Sequence, residues 1–421
     1  MTKQVGSYAR VLKTRSFLAL LVTYFLGAMN DNIYKIVVTL FAVSQGKAHG
    51  GALSLAAVLF ILPSLLFSGY AGHLADVHSK HKVLMITKTL EIVIMLLAWW
   101  VLDINNYLLM VSVLFLIAAQ AVFFTPAKYA IVPEILPTEE LSRANGLLEM
   151  ATFVAIIVGT GIGGILMQFF RYQVDIIAFV MIAIAIIGSV CSLGIKPVPA
   201  AAKPKDMHGN PFKEIMIGFK RVKGDRELLT TVLGISFFWC LAVATQITII
   251  LYGSEVMKLG DDGLAFLNVV VGLGIGIGSI LAGWASGDKI ELGFIIPSCI
   301  GMAIGALLLT VAASSMWMVT LGIFILGCAA GFYIVPFNAL LQERPNANEK
   351  GVIIATNNFV SGCTMLVSAV LVGKVFDEML GISAQAMFFW IAVFTLVMML
   401  ALMRLLPSLR ERAFFWCRNN E

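Results

Sequence analysis

Residues 123–149 read FFTPAKYAIVPEILPTEELSRANGLLE: the tail of one apolar run, a proline, a short acidic turn and the head of the next apolar run. Residues 331–358, GFYIVPFNALLQERPNANEKGVIIATNN, repeat that order, with Pro126 and Pro336 in corresponding places. A more worn match joins GYAGHLADVHSKHK, residues 69–82, to GWASGDKIELG, residues 283–293. Both pairs fall at the same place in two halves of similar length. The chain therefore reads as a duplicated unit, a plan common among membrane carriers.

Composition fixes the solvent in which that unit lives. The chain has 421 residues, 60% hydrophobic and 13% charged, against about a quarter charged in a soluble domain. Apolar runs long enough to cross a bilayer, roughly 18 residues or more, recur along its whole length. Hydropathy predicts six spans near 17–44, 52–72, 83–102, 108–127, 145–169 and 175–195, and six more near 228–252, 263–286, 293–313, 317–341, 351–376 and 384–406. The expected fold is an all-α membrane protein of twelve transmembrane helices in two six-helix bundles, 1–195 and 228–421, the second closing in a short tail. A basic linker, 196–227, joins them. Its stretch PFKEIMIGFKRVKGDREL places Phe212, Ile215, Met216, Phe219 and Val222 at helical spacing, so it is either an amphipathic helix on the membrane surface or a solvated tether.

Lysine and arginine placement sets the orientation. The outer loops hold Lys47, Arg171, Lys258 and Lys374, whereas the linker alone holds Lys196, Lys203, Lys205, Lys213, Lys220, Arg221, Lys223 and Arg226. The inner side also collects Lys3, Arg10, Lys13, Arg15, Lys80, Lys82, Lys128, Arg143, Lys289, Arg344, Lys350, Arg404, Arg410, Arg412 and Arg418. Both termini are thus expected in the cytoplasm. The net charge of +5 is a topology signal and does not point to nucleic acid. The basic start has no small-residue cleavage site before its long apolar stretch, so it reads as a cytoplasmic start and not a signal peptide.

Chemistry other than transport finds little support. The six cysteines, Cys191, Cys240, Cys299, Cys328, Cys363 and Cys417, form no close pair and read as reduced packing residues. The histidines show no ligand spacing, so no metal site and no cofactor are expected. No nucleophile–base constellation points to an enzyme, and no GxxxxGK[ST] stretch points to ATP.

Ionisable groups inside a span cost a few kcal/mol or more and are functional candidates. Asp31 and Lys35 lie four apart in the first span and share a face with Gly27, Ala28 and Tyr34, flanked by Asn30 and Asn32. They form either a head-group or proton site or a self-neutralising pair. Glu91, three residues after Lys88, is either a site or half of a structural pair. Gln120 and Lys128 lie two turns apart on the fourth span, and Glu149 opens the fifth. Lys128 either grips a phosphate or anchors its helix. In the second half amides remain: Gln246, Asn338 and Asn357, with Asn268 and Asn358. A cavity charged on one side and apolar on the other suits a molecule with a polar head and a greasy tail.

Residues 72–82, GHLADVHSKHK, resemble the signature loop of the major facilitator superfamily. Gly72, Leu74, Ala75, Asp76 and Lys80 match, while Val77 and Ser79 depart from the usual arginine and glycine. The resemblance implies that Asp76, with Gly72 and Lys80, acts as a conformational gate by capping the helix that starts near Gly351. A narrower resemblance, strongest in the first half, is to the lysophospholipid transporter branch. It rests on the Asp-Asn pair in FLGAMNDNIYKIVVTLF, residues 25–41, on Pro126, Lys128, Tyr129 and Pro133, and on Asn145, Gly146 and Glu149. No HxxxxD acyltransferase motif is present. The resemblance implies a monomeric secondary transporter or flippase in a bacterial inner membrane. It would move a lysophosphatidylethanolamine-like lysolipid by alternating access, with substrate and membrane lipids as its partners. Two other readings stand beside it: a proton-coupled exporter of drugs or siderophores using Asp31 or Glu91, and a non-transporting receptor or scaffold on the same fold.

Overall fold

The computed structural model describes residues 7–44, 51–202, 210–312, 315–409 and 411. Lys3, Lys47, Lys203, Lys205, Arg410, Arg412, Arg418 and Cys417 lie outside the described residues. The first bundle consists of α2 (Arg15–Ser44), α3 (Gly51–Val77), α4 (Lys80–Ile104), α5 (Tyr107–Ile135), α6 (Leu141–Phe170) and α7 (Val174–Ser192), preceded by a short α1 (Tyr8–Lys13). After the linker helix α8 (Pro211–Gly224), the second bundle consists of α9 (Arg226–Leu251), α10 (Asp261–Ala285), α11 (Ile295–Val311), α12 (Met316–Glu343), α13 (Lys350–Ala369) and α14 (Ala384–Leu405). A π-helical stretch, Val370–Met379, continues α13. Among the described residues, ten helices are long and apolar enough to cross a membrane. Their outer faces carry exposed Ile86, Val93, Trp100, Phe169, Phe179, Trp284 and Val311, as a lipid solvent demands. Within the described spans the backbone hydrogen bonds close inside each helix, so the backbone leaves lipid little to satisfy.

Hydropathy placed these spans within a few residues, but it ended two of them early. The stretch read as a loop after the second span is helical through Val77, and the fourth span runs on past Pro126 and Pro133 to Ile135. Polar residues at a bundle's end stay helical because neighbouring helices bury and pair them. Lys80, for example, is fully buried and meets Glu134 at 2.6 Å. Asp76 therefore sits on a helix and not in a loop, and Lys128 lies inside α5 and not at its end.

Each bundle has its own apolar core, built around Ile33, Tyr34, Met95 and Met110 in the first and around Phe238, Tyr252, Tyr333 and Phe388 in the second. Small residues let helices touch within and across the bundles. Gly278 lies where α10 crosses α12, and a methyl group there would overlap the carbonyl oxygen of Cys328. Gly278→Ala is expected to cost about 1–3 kcal/mol of stability through overpacking. The check is a fall in the unfolding midpoint of the solubilised protein.

Two seams join the bundles: α3 against α13, and α6 against α10. The linker helix covers the first at the end of the molecule to which α1 also belongs, here termed the linker end. Asn210 caps α8 by accepting from the Phe212 amide at 2.9 Å, and Pro211 fits its first turn. The helix buries Glu214, Ile215, Gly218 and Val222, leaving Phe212 and Met216 exposed. Its backbone meets α3 at Gly69, and Gly218 lies against Thr356 of α13. Arg221 pairs with Glu349 at 2.9 Å. Asp225 caps α9 and pairs with Arg344 at 2.9 Å. Burial works against its charge, but that guanidinium and the Leu228 and Glu227 amides outweigh burial and hold its pKa below the ordinary carboxylate value.

On the second seam, the hydroxyl of Tyr8 on α1 donates to the Ile280 carbonyl at 2.5 Å, beside Gly146 and Gly283. Arg143 reaches Asp288 at 3.1 Å. Tyr8–Ile280, Ser142–Lys289, Arg143–Asp288, Asn145–Gln342, Glu149–Asn338 and Asp76 with the start of α13 tie the bundles together on the side of this linker end and close it.

Candidate functional site

A cavity of about 360 Å³ lies between the bundles, above that closed end. Its first-bundle wall carries Asp31, Lys88, Glu91, Lys128 and Glu149, together with Gly27, Ala28, Asn32 and Gln120. The second-bundle wall offers Ile235, Trp239, Leu341, Ile354 and Met365 with the amides of Asn338, Asn357 and Asn358. Among the described residues, no ionisable side chain of the second bundle lines it.

The charges form two groups. In the first, Lys88 and Glu91 pair one helical turn apart on α4, both nearly inaccessible. Asn30 on α2 donates to Glu91 Oε1 at 3.4 Å and to the Met181 carbonyl at 3.2 Å, tying α2 to α4 and α7. Asp31 faces the same pair. Gly27 and Gly188 leave the room that Lys88 fills: a Cβ at Gly27 would stand 2.7 Å from its Nζ. The group holds two carboxylates against one ammonium, an excess negative charge that a proton or a ligand cation would balance.

In the second group, Lys128 Nζ lies 3.6 Å from the ring centroid of Tyr24 and 4.0 Å from that of Tyr129. Two aromatic faces can hold a desolvated ammonium with about 2 kcal/mol or more each. The ring of Tyr24 is fixed by its hydroxyl, 2.6 Å from Thr152 Oγ1. Glu149 accepts at Oε1 from Tyr129 at 3.3 Å and from Asn338, across the bundle boundary, at 2.8 Å. Its Oε2 is buried without a hydrogen-bond partner. One turn below, Asn145 and Gln342 exchange hydrogen bonds at 3.1 and 2.7 Å.

Of the candidates named from sequence, Asp31, Asn32, Glu91, Gln120, Lys128, Glu149, Asn338 and Asn357 share this cavity. Gln120 is fixed by donating to the Thr87 carbonyl at 2.9 Å, and Asn30 stands behind the wall as the support of Glu91. Three others lie elsewhere. Tyr34 is buried in the first bundle, its hydroxyl on the Met110 carbonyl at 2.9 Å. Lys35 and Gln246 are exposed, away from the cavity. Asp31 thus shares the cavity wall with Lys88 and Glu91 of α4, whereas the lysine one turn along its own helix is not part of that wall. Gly72, Asp76 and Lys80 lie at the linker end: Asp76 accepts from the Gly351 amide at 2.6 Å and the Val352 amide at 3.0 Å. Sequence reasoning did not assign Lys88, Tyr24, Trp239 or Gln342 to the site. The spacing of Asn338 and Gln342, four apart like Asn145 and Glu149, was the available signal for the last.

Comparison with known proteins agrees with this geometry. Lysophospholipid transporters LplT of Yersinia pestis and Yersinia pseudotuberculosis are each 28% identical over 362 residues, 84% of this chain and 85% of theirs. The fold matches the human organic anion transporter MFSD10 (TETRAN), with TM-score 0.77, 12% identity, and 92% of this chain and 99% of that one covered. It matches a bacterial homologue of the iron transporter ferroportin with TM-score 0.71, 14% identity, and 94% and 99% covered. The E. coli fucose:proton symporter FucP gives TM-score 0.71, 15% identity, and 92% and 98% covered. The sequence profile of the Major Facilitator Superfamily matches residues 20–369, from the first span to the last ordinary turns of α13. With that match over most of its length, two bundles of six helices and a cavity between them, the chain belongs to the Major Facilitator Superfamily, a multi-pass membrane protein of transporter fold.

Proposed function

We propose that this protein is a secondary transporter that moves a lysophosphatidylethanolamine-like lysophospholipid from the outer to the inner leaflet of a bacterial inner membrane. One observation carries the reading: the cavity sets charges of both signs on one bundle against an apolar, amide-dotted wall on the other. A phosphate has Lys128 to meet, an ammonium has Asp31 or the free oxygen of Glu149, and the start of an acyl chain has Trp239, Ile354 and Met365. The similarity to the Yersinia lysophospholipid transporters supports the same cargo. The protein acts as a carrier and not as an enzyme, working as a monomer of two bundles, 1–195 and 228–421, joined by 196–227. Both termini lie in the cytoplasm, as the lysine and arginine bias requires. The closed linker end is then the cytoplasmic one, and the cavity is offered to the outer leaflet. Rocking of the bundles supplies alternating access, with Gly72, Asp76 and Lys80 gating the closed end.

The test is leaflet transfer of labelled lysophosphatidylethanolamine in proteoliposomes. Transfer above that of empty liposomes is expected, and its absence sinks the reading. Lys128→Ala removes the cation held for the phosphate. A charge-assisted bond is worth about 1.5–3 kcal/mol, so transport at low substrate is expected to fall roughly 10- to 150-fold. Lys128→Arg is expected to recover only part of it: a guanidinium also stacks on aromatic rings, but it is larger than the compact ammonium and does not put its charge at the same point. The excess negative charge beside Asp31 favours a second reading, proton-coupled export. Under it, transport of a drug-like cargo depends on a pH gradient and is lost in Asp31→Asn.

A further inference from the structure

Between the cavity and the closed end stands a short ladder of hydrogen bonds. Glu149 and Asn145, one turn apart on α6, meet Asn338 and Gln342, one turn apart on α12. The lower rung, Asn145–Gln342, is fully buried, neutral and reciprocal, so each amide satisfies the other. The upper rung differs. It is made by a carboxylate that lines the cavity, shares one oxygen between Tyr129 of its own bundle and Asn338 of the other, and leaves its second oxygen buried without a partner. A buried carboxylate oxygen with no hydrogen-bond donor is expensive; the Lys128 ammonium of the same cavity group offsets part of that cost, and a proton or ligand cation that reaches the carboxylate removes the rest.

We infer that Glu149 couples cavity occupancy to the closed end: a cation or proton arriving at its free oxygen weakens the Glu149–Asn338 bond and lets the bundles part below. The chemistry is a matter of acceptor strength. An ionised carboxylate makes a charge-assisted bond to the Asn338 amide. Once a ligand ammonium or a proton takes the negative charge, that bond falls to the strength of a neutral one. The lower rung carries no charge and does not respond, so it holds register while the upper rung senses. A ligand shifts a conformational equilibrium only through a difference in its affinity for the two states, and Glu149 is placed to supply that difference because its partner belongs to the opposite bundle. Glu149 acts here as a positioning residue for α12.

The inference rests on the transport reading only for the choice of cargo, and the experiment separates the two. Spin labels are placed on the linker-end surfaces of α6 and α10 in the full-length protein reconstituted in nanodiscs, and the inter-label distance distribution is read. Without cargo, Asn338→Asp sets a second carboxylate against Glu149, and Asn338→Ala removes the donor. Both are expected to raise the long-distance population at least several-fold over wild type, with an unchanged size-exclusion profile showing that the protein is folded. A distribution identical to wild type in both variants overturns the inference. With lysophosphatidylethanolamine added, wild type is expected to shift toward the long distance. Glu149→Gln, whose bond to Asn338 is neutral from the start, is expected to show a raised long-distance population without lipid and no further shift when the lipid is added. A Glu149→Gln protein that shifts as wild type does also overturns it. A wild type that ignores the lysolipid, in a protein whose Asn338 variants open, sinks the cargo and leaves the coupling standing.

Discussion

Lys88→Ala is expected to abolish transport and to cost more stability than any other substitution in the cavity. Lys88 is the single cation of a group that also holds Glu91 and Asp31, and it is 1% exposed with its partner Glu91 at 2%. Removing one member of a buried pair leaves the other's charge without compensation, a loss of about 3–5 kcal/mol. Here two carboxylates are left facing each other, and Asn30, which bonds Glu91, ties their helices to α7. The damage spreads to the packing of α2, α4 and α7. The measurement is the thermal midpoint in detergent together with leaflet transfer. Lys88→Ala/Glu91→Ala is expected to recover part of the midpoint, because Asp31 alone is then left and the group returns to the single excess negative charge of the wild type, yet little of the transport. A single mutant that melts with the wild type would show the group to be wet and energetically idle.

Asp76→Asn is expected to have the second largest effect, by another route. Both carboxylate oxygens of Asp76 accept amide hydrogens from the first turn of α13, at 2.6 Å from Gly351 and 3.0 Å from Val352. They complete a helix start whose own donors have no intrahelical partner, at the positive end of the helix dipole. The bond joins the two bundles, so its loss bears on the balance between closed and open linker ends more than on the stability of either bundle. An asparagine keeps one acceptor and loses the charge. At about 1.5–3 kcal/mol for a charged hydrogen bond, the closed population falls relative to the open one by roughly 10- to 150-fold. The measurement is cross-linking of cysteine pairs placed across the α3–α13 seam. Yields are expected to drop sharply in Asp76→Asn, while the thermal midpoint moves little. The close fit of the seam makes the geometry unforgiving: a Cβ at Gly72 would stand 2.6 Å from that of Ala355 and 2.8 Å from the Gly351 carbonyl.

The fold was legible because a bilayer imposes length and apolarity on each span, and both are properties of sequence alone. The repeat around Pro126 and Pro336 was legible for the same reason, as local order. The bounds of α3 and α5 were not, because what keeps Asp76 and Lys128 helical is burial by other helices. The site divides along the same line. Asp31, Glu91, Lys128 and Glu149 declared themselves as charges in apolar runs. Which of them face one another depends on helix rotation, and hydropathy does not fix rotation. Asp31 lines the cavity with Lys88 of α4, while Lys35 and Gln246 are not among the side chains that line it. The rung between Asn145 and Gln342 joins residues far apart in the chain and neutral in charge, so no buried charge marks it, and the matching four-residue spacings on α6 and α12 are its trace in the sequence.

The placement of all the cavity's ionisable side chains on the first bundle has a consequence for the energetics of turnover. When two rigid bodies rock, only distances between them change. The separations among Asp31, Lys88, Glu91, Lys128 and Glu149 stay constant through the stroke, so the protein does no Coulomb work against itself at the cavity. A polar head bound to that wall rides with it as a passenger in a fixed electrostatic frame. The reorganisation falls on the opposite wall, which slides past as weakly polar amides and side-chain carbons. A carrier arranged this way keeps its charge-to-charge geometry intact at mid-stroke, with the Glu149–Asn338 bond as the charged contact that has to change, and the greasy part of its cargo is the part that experiences the motion.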